Sequence, residues 1–291
     1  LPQEAVKIEW LRDFNQVPDD SPVIILAQEL FDALPIYQFE FTKENEWREK
    51  LVDIVREEDD TSSNIGNAKL GLRFVIAENA TPASKVLIDS SISLPLSQAP
   101  SPGDSIEIGA AGAALAQDIS KLLMKCGGGC VIIDYGDNEA ATCSLRGIKS
   151  HEFVHPLLDP GQVDLSADVN FDYLKHAVRS VIKSYSHQND TAVKQGQSPK
   201  YSSLKLLGPV TQGEFLRALG IEHRVASLLS STDNEDKQQS IFQSFKRLVE
   251  AETSNEDGDV VKGMGVSYKA MGMVAPIPST ELQSSIPGFN Q

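Results

Sequence analysis

Val23-Ile-Ile-Leu-Ala-Gln-Glu-Leu-Phe-Asp-Ala-Leu-Pro-Ile36 opens with an unbroken apolar run, Val23 to Ala27, and then turns abruptly polar. Such a run, rich in β-branched residues, is the pattern of a strand buried on both faces of a parallel sheet. Gln28, Glu29 and Asp32 fall where that strand would end. Open α/β sheets bind their ligands in the crevice beyond the carboxyl ends of their strands, so these side chains are the first candidates for a site.

A second run of the same character, Cys130-Val-Ile-Ile-Asp134, leads into Tyr135 and Gly136. Before it, Ala110 to Lys125 places Ala111, Ala114, Leu115, Ile119, Leu122 and Leu123 near helical spacing, with Gly127 as the C-cap. Strand, helix and strand in this order predict a right-handed crossover with parallel strands, which brings Asp134, Tyr135 and Gly136 to the same edge as Glu29. Upstream, Val6 to Trp10 alternates and reads as a further strand of the sheet.

Between the two runs, Ile36 to Thr42, Trp47 to Val55 and Leu70 to Ala77 alternate or are β-branched, predicting a β-rich antiparallel insertion over 36–103 that ends in a Pro- and Ser-rich linker. Downstream, Arg146 to Asp168 carries little periodicity and reads as an irregular functional loop. Phe171 to Ile182 reads as a helix, and the polar stretch after it as a flexible insertion over 184–203. Thr211-Gln-Gly-Glu214 is a capping box opening a helix to about Leu219. Helices at Ile221 to Leu229 and Asp236 to Glu252, then a final strand within Val266 to Pro276, complete the pattern.

The 291 residues can bury a large core. With 26 Lys and Arg against 41 Asp and Glu the formal charge is −15, which argues against nucleic acid as the main partner and suits a basic protein or peptide. The acidic clusters Glu57 to Asp60 and Glu250 to Asp259 read as solvated loops. Cys126, Cys130 and Cys143 form no paired framework and lack the partners of a metal site, so no metal is expected and a reducing compartment is. No apolar run approaches the ~20 residues of a membrane span.

Ala27-Gln-Glu-Leu-Phe-Asp-Ala-Leu-Pro35 resembles the Ala-Asn-Glu-Phe-Phe-Asp-Ala-Leu-Pro signature of the MidA-like methyltransferases. Further matches follow in that family's order: Val131-Ile-Ile-Asp-Tyr-Gly136, Arg146-Gly147, Pro160 to Phe171, Gly208 to Leu216 with Leu219-Gly-Ile221, and Met264-Gly-Val-Ser-Tyr-Lys269. The resemblance implies a class I, Rossmann-like S-adenosylmethionine methyltransferase sheet with insertions. It further implies S-adenosylmethionine as methyl donor and an arginine on a mitochondrial complex I subunit as acceptor, with a role in assembling that complex in the matrix. On the family pattern the chain, 1–291, is a partial methyltransferase domain that begins near the third strand. It lacks the N-terminal strands, whose glycine-rich turn and ribose-binding acid hold the donor. Gly127-Gly-Gly129 is no substitute, because a nucleotide-binding turn must follow a strand and open a helix.

An arginine acceptor is a planar cation that paired carboxylates bind and orient. Glu29 and Asp32 offer that pair as catalytic residues: if a helix begins after Ala27, they share a face. Their other reading is capping of a short helix. Gln28, which stands where the family usually has Asn or His, joins Asp134, Tyr135 and Gly136 as candidates for the donor. Asp134 ends a buried strand, so it either reaches the cleft or bonds to nearby backbone. Gly136 would permit a turn. His151, Asp164 and Asp168 are candidates for the substrate, with one of Asp164, Ser166 and Asp168 as N-cap of the following helix. The competing function is a non-catalytic protein-binding or assembly module built on the same fold. An unrelated hydrolase is disfavoured, since no Gly-x-Ser-x-Gly turn is present.

Overall fold

In the computed structural model, residues 7–55, 71–88, 99–139, 142–195, 197–198, 201–254, 260–277 and 285–289 are described. A single 3-10 turn, Phe14–Gln16, precedes the first strand, β1, Val23–Gln28. An antiparallel sheet follows, in the order β4-β3-β2-β5, from β2 (Tyr37–Phe41), β3 (Trp47–Ile54), β4 (Leu72–Ile76) and β5 (Ser105–Ile108), with the short helix α1 (Pro82–Leu87) against it. Phe39, Ile106 and Ile108 form its small core.

Helix α2 (Ala110–Cys126) then leads through Gly127 into β6 (Gly128–Asp137). β1 and β6 are parallel, with Ala27 opposite Ile132, as the crossover predicts. The reading of Gly127-Gly-Gly129 becomes concrete here. Gly127 caps α2 at φ 80°, and a Cβ on Gly128 would stand 1.9 Å from the Val23 carbonyl oxygen. The glycines let the two strands approach.

After β6 come three short strands, β7 (Arg146–Lys149), β8 (Glu152–Val154) and β9 (Asp164–Ser166), paired in the order β8-β7-β9. The stretch expected to be irregular is therefore a small antiparallel sheet. Strands of three or four residues are too short to set up a visible alternation. β10 (Val169–Asn170) pairs with the end of β6 and runs into helix α3 (Phe171–Lys194). This helix passes well beyond Ile182, because Tyr185 packs on the main core and stacks on Tyr201 with ring centroids 4.0 Å apart.

The chain closes with β11 (Lys205–Thr211), α4 (Gln212–Ala218), α5 (Ile221–Ser230), α6 (Glu235–Val249), the hairpin β12 (Glu252–Ser254) and β13 (Val260–Lys262), α7 (Met264–Ser267), and β14 (Tyr268–Ala275). Thr211 and Glu214 make the expected capping box. The main sheet has the order β1-β6-β14-β11, and β14 lies antiparallel to both of its neighbours.

One face of this sheet is filled. Ala27, Cys130, Ile132, Met271 and Met273 pack with Ile119, Leu123, Leu174 and Val178 of α2 and α3. On the other face, Val210, Phe215 and Ala270 pack with Val131, Ile133 and Phe289. That second layer does not reach β1, whose Ile24 is 94% and Leu26 68% exposed. The expectation of a strand buried on both faces is corrected accordingly: β1 is the edge of the sheet among the described residues, with one face covered. Val6 to Trp10 is corrected too, since residues 7–12 form neither helix nor strand and Trp10 is exposed. The acidic stretches 57–60 and 255–259 lie outside the described residues.

Candidate active site

No helix follows β1. The Glu29 N–H donates to the Ile133 carbonyl at 3.0 Å, extending the parallel pairing by one residue, and Glu29 itself sits at φ 46°. This positive φ breaks the strand and starts a turn. The Phe31 and Asp32 N–H groups then both donate to Asp134 Oδ2, at 2.9 and 3.2 Å, while Tyr135 N–H donates to Asp134 Oδ1 at 3.0 Å. A strand of β6 thus reaches sideways with one carboxylate and fixes the turn beyond its neighbour.

Asp134 is fully buried. Burial, aided by the charge of Asp32, raises its pKa to about 7 against the pull of the three N–H donors. Of the two readings open for Asp134, this geometry favours the bond to backbone: its carboxylate holds the turn and does not face a ligand.

The turn places Glu29 in solvent and Asp32 in the interior, so the expectation that they share a helical face is corrected. What they share is a pattern. The Tyr135 hydroxyl donates to Asp32 Oδ2 and also bonds Ser166 Oγ. The charge of Glu29 acts in turn on the Tyr268 phenol. The two tyrosines face each other across β6 and β14, where Tyr135 is opposite Tyr268, and their rings meet edge to face at 5.3 Å. Burial first, then the neighbouring carboxylate, pushes both phenols above the ordinary tyrosine range. Two carboxylates, Asp32 bonded to one phenol and Glu29 beside the other, therefore line the carboxyl end of β1.

Asp32 Oδ1 is buried and has no hydrogen-bond partner among the described residues. No cation among them pairs with Asp32 or Glu29 either. The nearby guanidinium, Arg146, is engaged elsewhere: it lies 4.7 Å over the Tyr135 ring, 5.8 Å from that of Phe153, and 2.8 Å from Asp168. Asp168 N–H donates in turn to Ser144 Oγ at 2.8 Å. The buried Glu107 of β5 accepts from the backbone of Ser144 and Leu145, which ties the small sheets to the site.

The remaining candidates fall out as follows. Gln28 is exposed at the end of β1, beside Glu29. Gly136 does not make a turn, since β6 continues to Asp137; a Cβ there would lie 2.0 Å from the Val169 carbonyl oxygen, so this glycine admits β10. His151 is exposed in the two-residue turn between β7 and β8, where Ser150 and His151 both have positive φ, the geometry of a type I′ hairpin turn. Asp164 is exposed on β9, and the N-cap of α3 is Asn170, not Asp164, Ser166 or Asp168. Sequence reasoning passed over Arg146 and Tyr268 as site residues, and it named Ser166 as a candidate N-cap that the family resemblance also places at the cleft. All three lie inside the motifs quoted above, and only their pairing across strands reveals what they touch.

Residues 1–187 match the profile of a family described as "Putative S-adenosyl-L-methionine-dependent methyltransferase". The chain belongs to this family. It is 34% identical over 253 residues to a Danio rerio protein named "Protein arginine methyltransferase NDUFAF7, mitochondrial", covering 87% of this chain and 49% of that protein. The Homo sapiens protein of the same name is 28% identical over 254 residues, 87% of this chain and 48% of that one. The chain thus spans about half the length of these curated relatives. Among solved structures, it matches a Burkholderia thailandensis protein crystallised bound to S-adenosyl-homocysteine with a TM-score of 0.61 at 17% identity, covering 93% of this chain and 57% of that one. That likeness shows the fold of this methyltransferase family.

The donor set at the end of β1 can be weighed against S-adenosylmethionine. Gln28, exposed at the end of β1, offers a hydrogen-bonding amide that fits the charged amino-acid end of that molecule, and Glu29 and Asp32 beside it offer negative charge that suits a sulfonium nearby. The glycine run that could have been taken for a nucleoside cradle is spent on joining β6 to β1. Cys126 and Cys130 are buried free thiols, Cys130 with its pKa pushed up to about 12 by burial. Among the described residues no helix is long and apolar enough to cross a membrane.

Proposed function

We propose that this chain is the acceptor-binding part of an S-adenosylmethionine-dependent protein arginine methyltransferase of the mitochondrial matrix, acting on a subunit of respiratory complex I during its assembly. The observation that carries this reading is the pair of carboxylates at the carboxyl end of β1, the buried Asp32 bonded to Tyr135 and the exposed Glu29 beside Tyr268, which no cation among the described residues neutralises. A guanidinium brings charge and a planar fork of N–H donors, and carboxylates are its natural partners. The relatives' names supply the reaction and the compartment, and the family resemblance supplies the complex I subunit.

When bound, the donor supplies an electrophilic methyl group on a sulfonium; Gln28 is the exposed residue at the end of β1 that would hold its charged end. The protein's own task is to bind the acceptor guanidinium, orient one nitrogen and keep water from the reacting edge. Asp32 and Glu29 bind and orient, and Tyr135 with Tyr268 wall the edge.

The test is transfer of a tritiated methyl group from S-adenosylmethionine to purified complex I subunits by the 291-residue chain, with acid hydrolysis to identify the labelled residue. Label in methylated arginine supports the proposal. A folded chain that transfers no label and binds those subunits equally well after Asp32→Ala overturns it and leaves the non-catalytic assembly module.

A further inference from the structure

We infer that Tyr135 is a positioning residue for a guanidinium ligand: it fixes Asp32 through Oδ2, so that Oδ1 is reserved for an N–H of the incoming cation. This rests on the reading of the site as an acceptor site.

The first observation is the division of labour within one carboxylate. Asp32 is 9% exposed. Oδ2 is bonded to a phenol that is itself locked, by Ser166 Oγ on one side and by the guanidinium over its ring on the other. Oδ1, equally buried, has no donor among the described residues. A buried carboxylate oxygen without a donor is costly to leave unpaired, so a carboxylate held in this attitude is poised for a ligand that brings one.

The second observation is where the local cation goes. Arg146 could have satisfied Asp32. It is instead bonded to Asp168 at 2.8 Å and to the Ser144 carbonyl at 3.2 Å, and it offers Asp32 only the Tyr135 ring as an intermediary. Its pairing with Asp168 is braced from β5, through Glu107 to Ser144 and from Ser144 to Asp168. The site therefore keeps its own guanidinium one residue away from the carboxylate. Negative charge accumulates at Asp32 and Glu29, where the ligand enters, and is neutralised at Asp168, where the support is built.

The two roles predict different sensitivities. A lysine ammonium is a point charge that Glu29 in solvent can serve, whereas a guanidinium needs an oxygen held in a fixed plane. Removing the Tyr135 hydroxyl should therefore impair arginine more than lysine.

The experiment titrates N-acetyl-arginine amide and N-acetyl-lysine amide into the full chain and its Tyr135→Phe variant by calorimetry, with thermal melting alongside. Phenylalanine retains the ring under Arg146 but leaves Asp32 Oδ2 without its donor, so the melting temperature should fall by a few degrees while the chain stays folded. The arginine dissociation constant should rise about ten-fold, the value of one charge-assisted hydrogen bond, and the preference for arginine over lysine should shrink. Ser166→Ala, which frees the phenol on one side, should give the same change in smaller measure and serves if Tyr135→Phe does not fold. Wild-type binding of arginine amide that neither variant weakens would overturn the positioning role while leaving the acceptor site standing. Absence of arginine binding by the folded wild-type chain would overturn both.

Discussion

The two faces of the main sheet differ in how far they are covered. Toward α2 and α3 every strand contributes to one continuous core, from Ala27 on β1 to Met273 on β14. Toward α4 the cover extends over β11, β14 and β6 and stops before β1, where Ile24 and Leu26 point into solvent. Apolar composition is the same on both faces of β1; what differs is the presence of a neighbour. Stability should follow the neighbour. Ile132, fully buried between Ala27 and Met271, is the sharpest probe of the closed face. Ile132→Ala should cost about 2–5 kcal/mol through lost burial and a cavity, read from the urea midpoint. A loss below about 1 kcal/mol, of the size of an ordinary surface change, would mean that the face is loosely packed and the comparison fails.

The closed face ends at the site in Asp134, and there the comparison can be sharpened by pH. Burial, then the charge of Asp32, lifts this carboxyl to about 7, above the ~3.9 of an unfolded aspartate. Between about pH 4 and 7 the folded chain keeps a proton that the unfolded chain has released, so the contribution of this group to stability is full below that window and lost as pH rises through it. Asp134→Asn keeps a carbonyl oxygen for the Phe31 or Asp32 N–H and removes the titration. Its urea midpoint should vary less between pH 5 and 8 than that of the wild type, rising relative to it at pH 8. An identical pH dependence in both proteins would show that Asp134 does not titrate in this window.

Much of this arrangement was legible beforehand because it depends on long, regular runs. The crossover from Val23 through the helix at Ala110 to the strand at Cys130, the capping box at Thr211 and the convergence of Glu29 with Asp134 all follow from patterns spanning many residues. The site's inner logic was not legible. A helix after Ala27 was the condition for Glu29 and Asp32 to share a face, but two N–H bonds to a carboxylate over a hundred residues away decide the turn, and a local pattern carries no trace of them. The meeting of Tyr135 with Tyr268, and with it the approach of Glu29 to Tyr268, likewise depends on β14 lying antiparallel against β6. A single residue of register shift would send Tyr135 to the other face.

The smallest expected effect belongs to the open face, and it tests the comparison most directly. Ile24 and Leu26 are apolar where a polar residue would do, so composition alone would assign them a core role equal to that of Ile25 and Ala27. Exposure assigns them almost none in this chain. Ile24→Thr keeps the β-branch and with it the strand preference, so only burial is varied. The urea midpoint should move by no more than about 0.5 kcal/mol equivalent, as for an ordinary surface substitution, while sedimentation should show less self-association, since an exposed apolar edge strand is a template for pairing. A loss above about 1.5 kcal/mol, the low end for a buried aliphatic side chain, would place something over this face and make the two sides of β1 alike. A neutral result would leave an apolar strand face and an unpaired edge beside Glu29, and the asymmetry between the faces would then be a property of the chain itself.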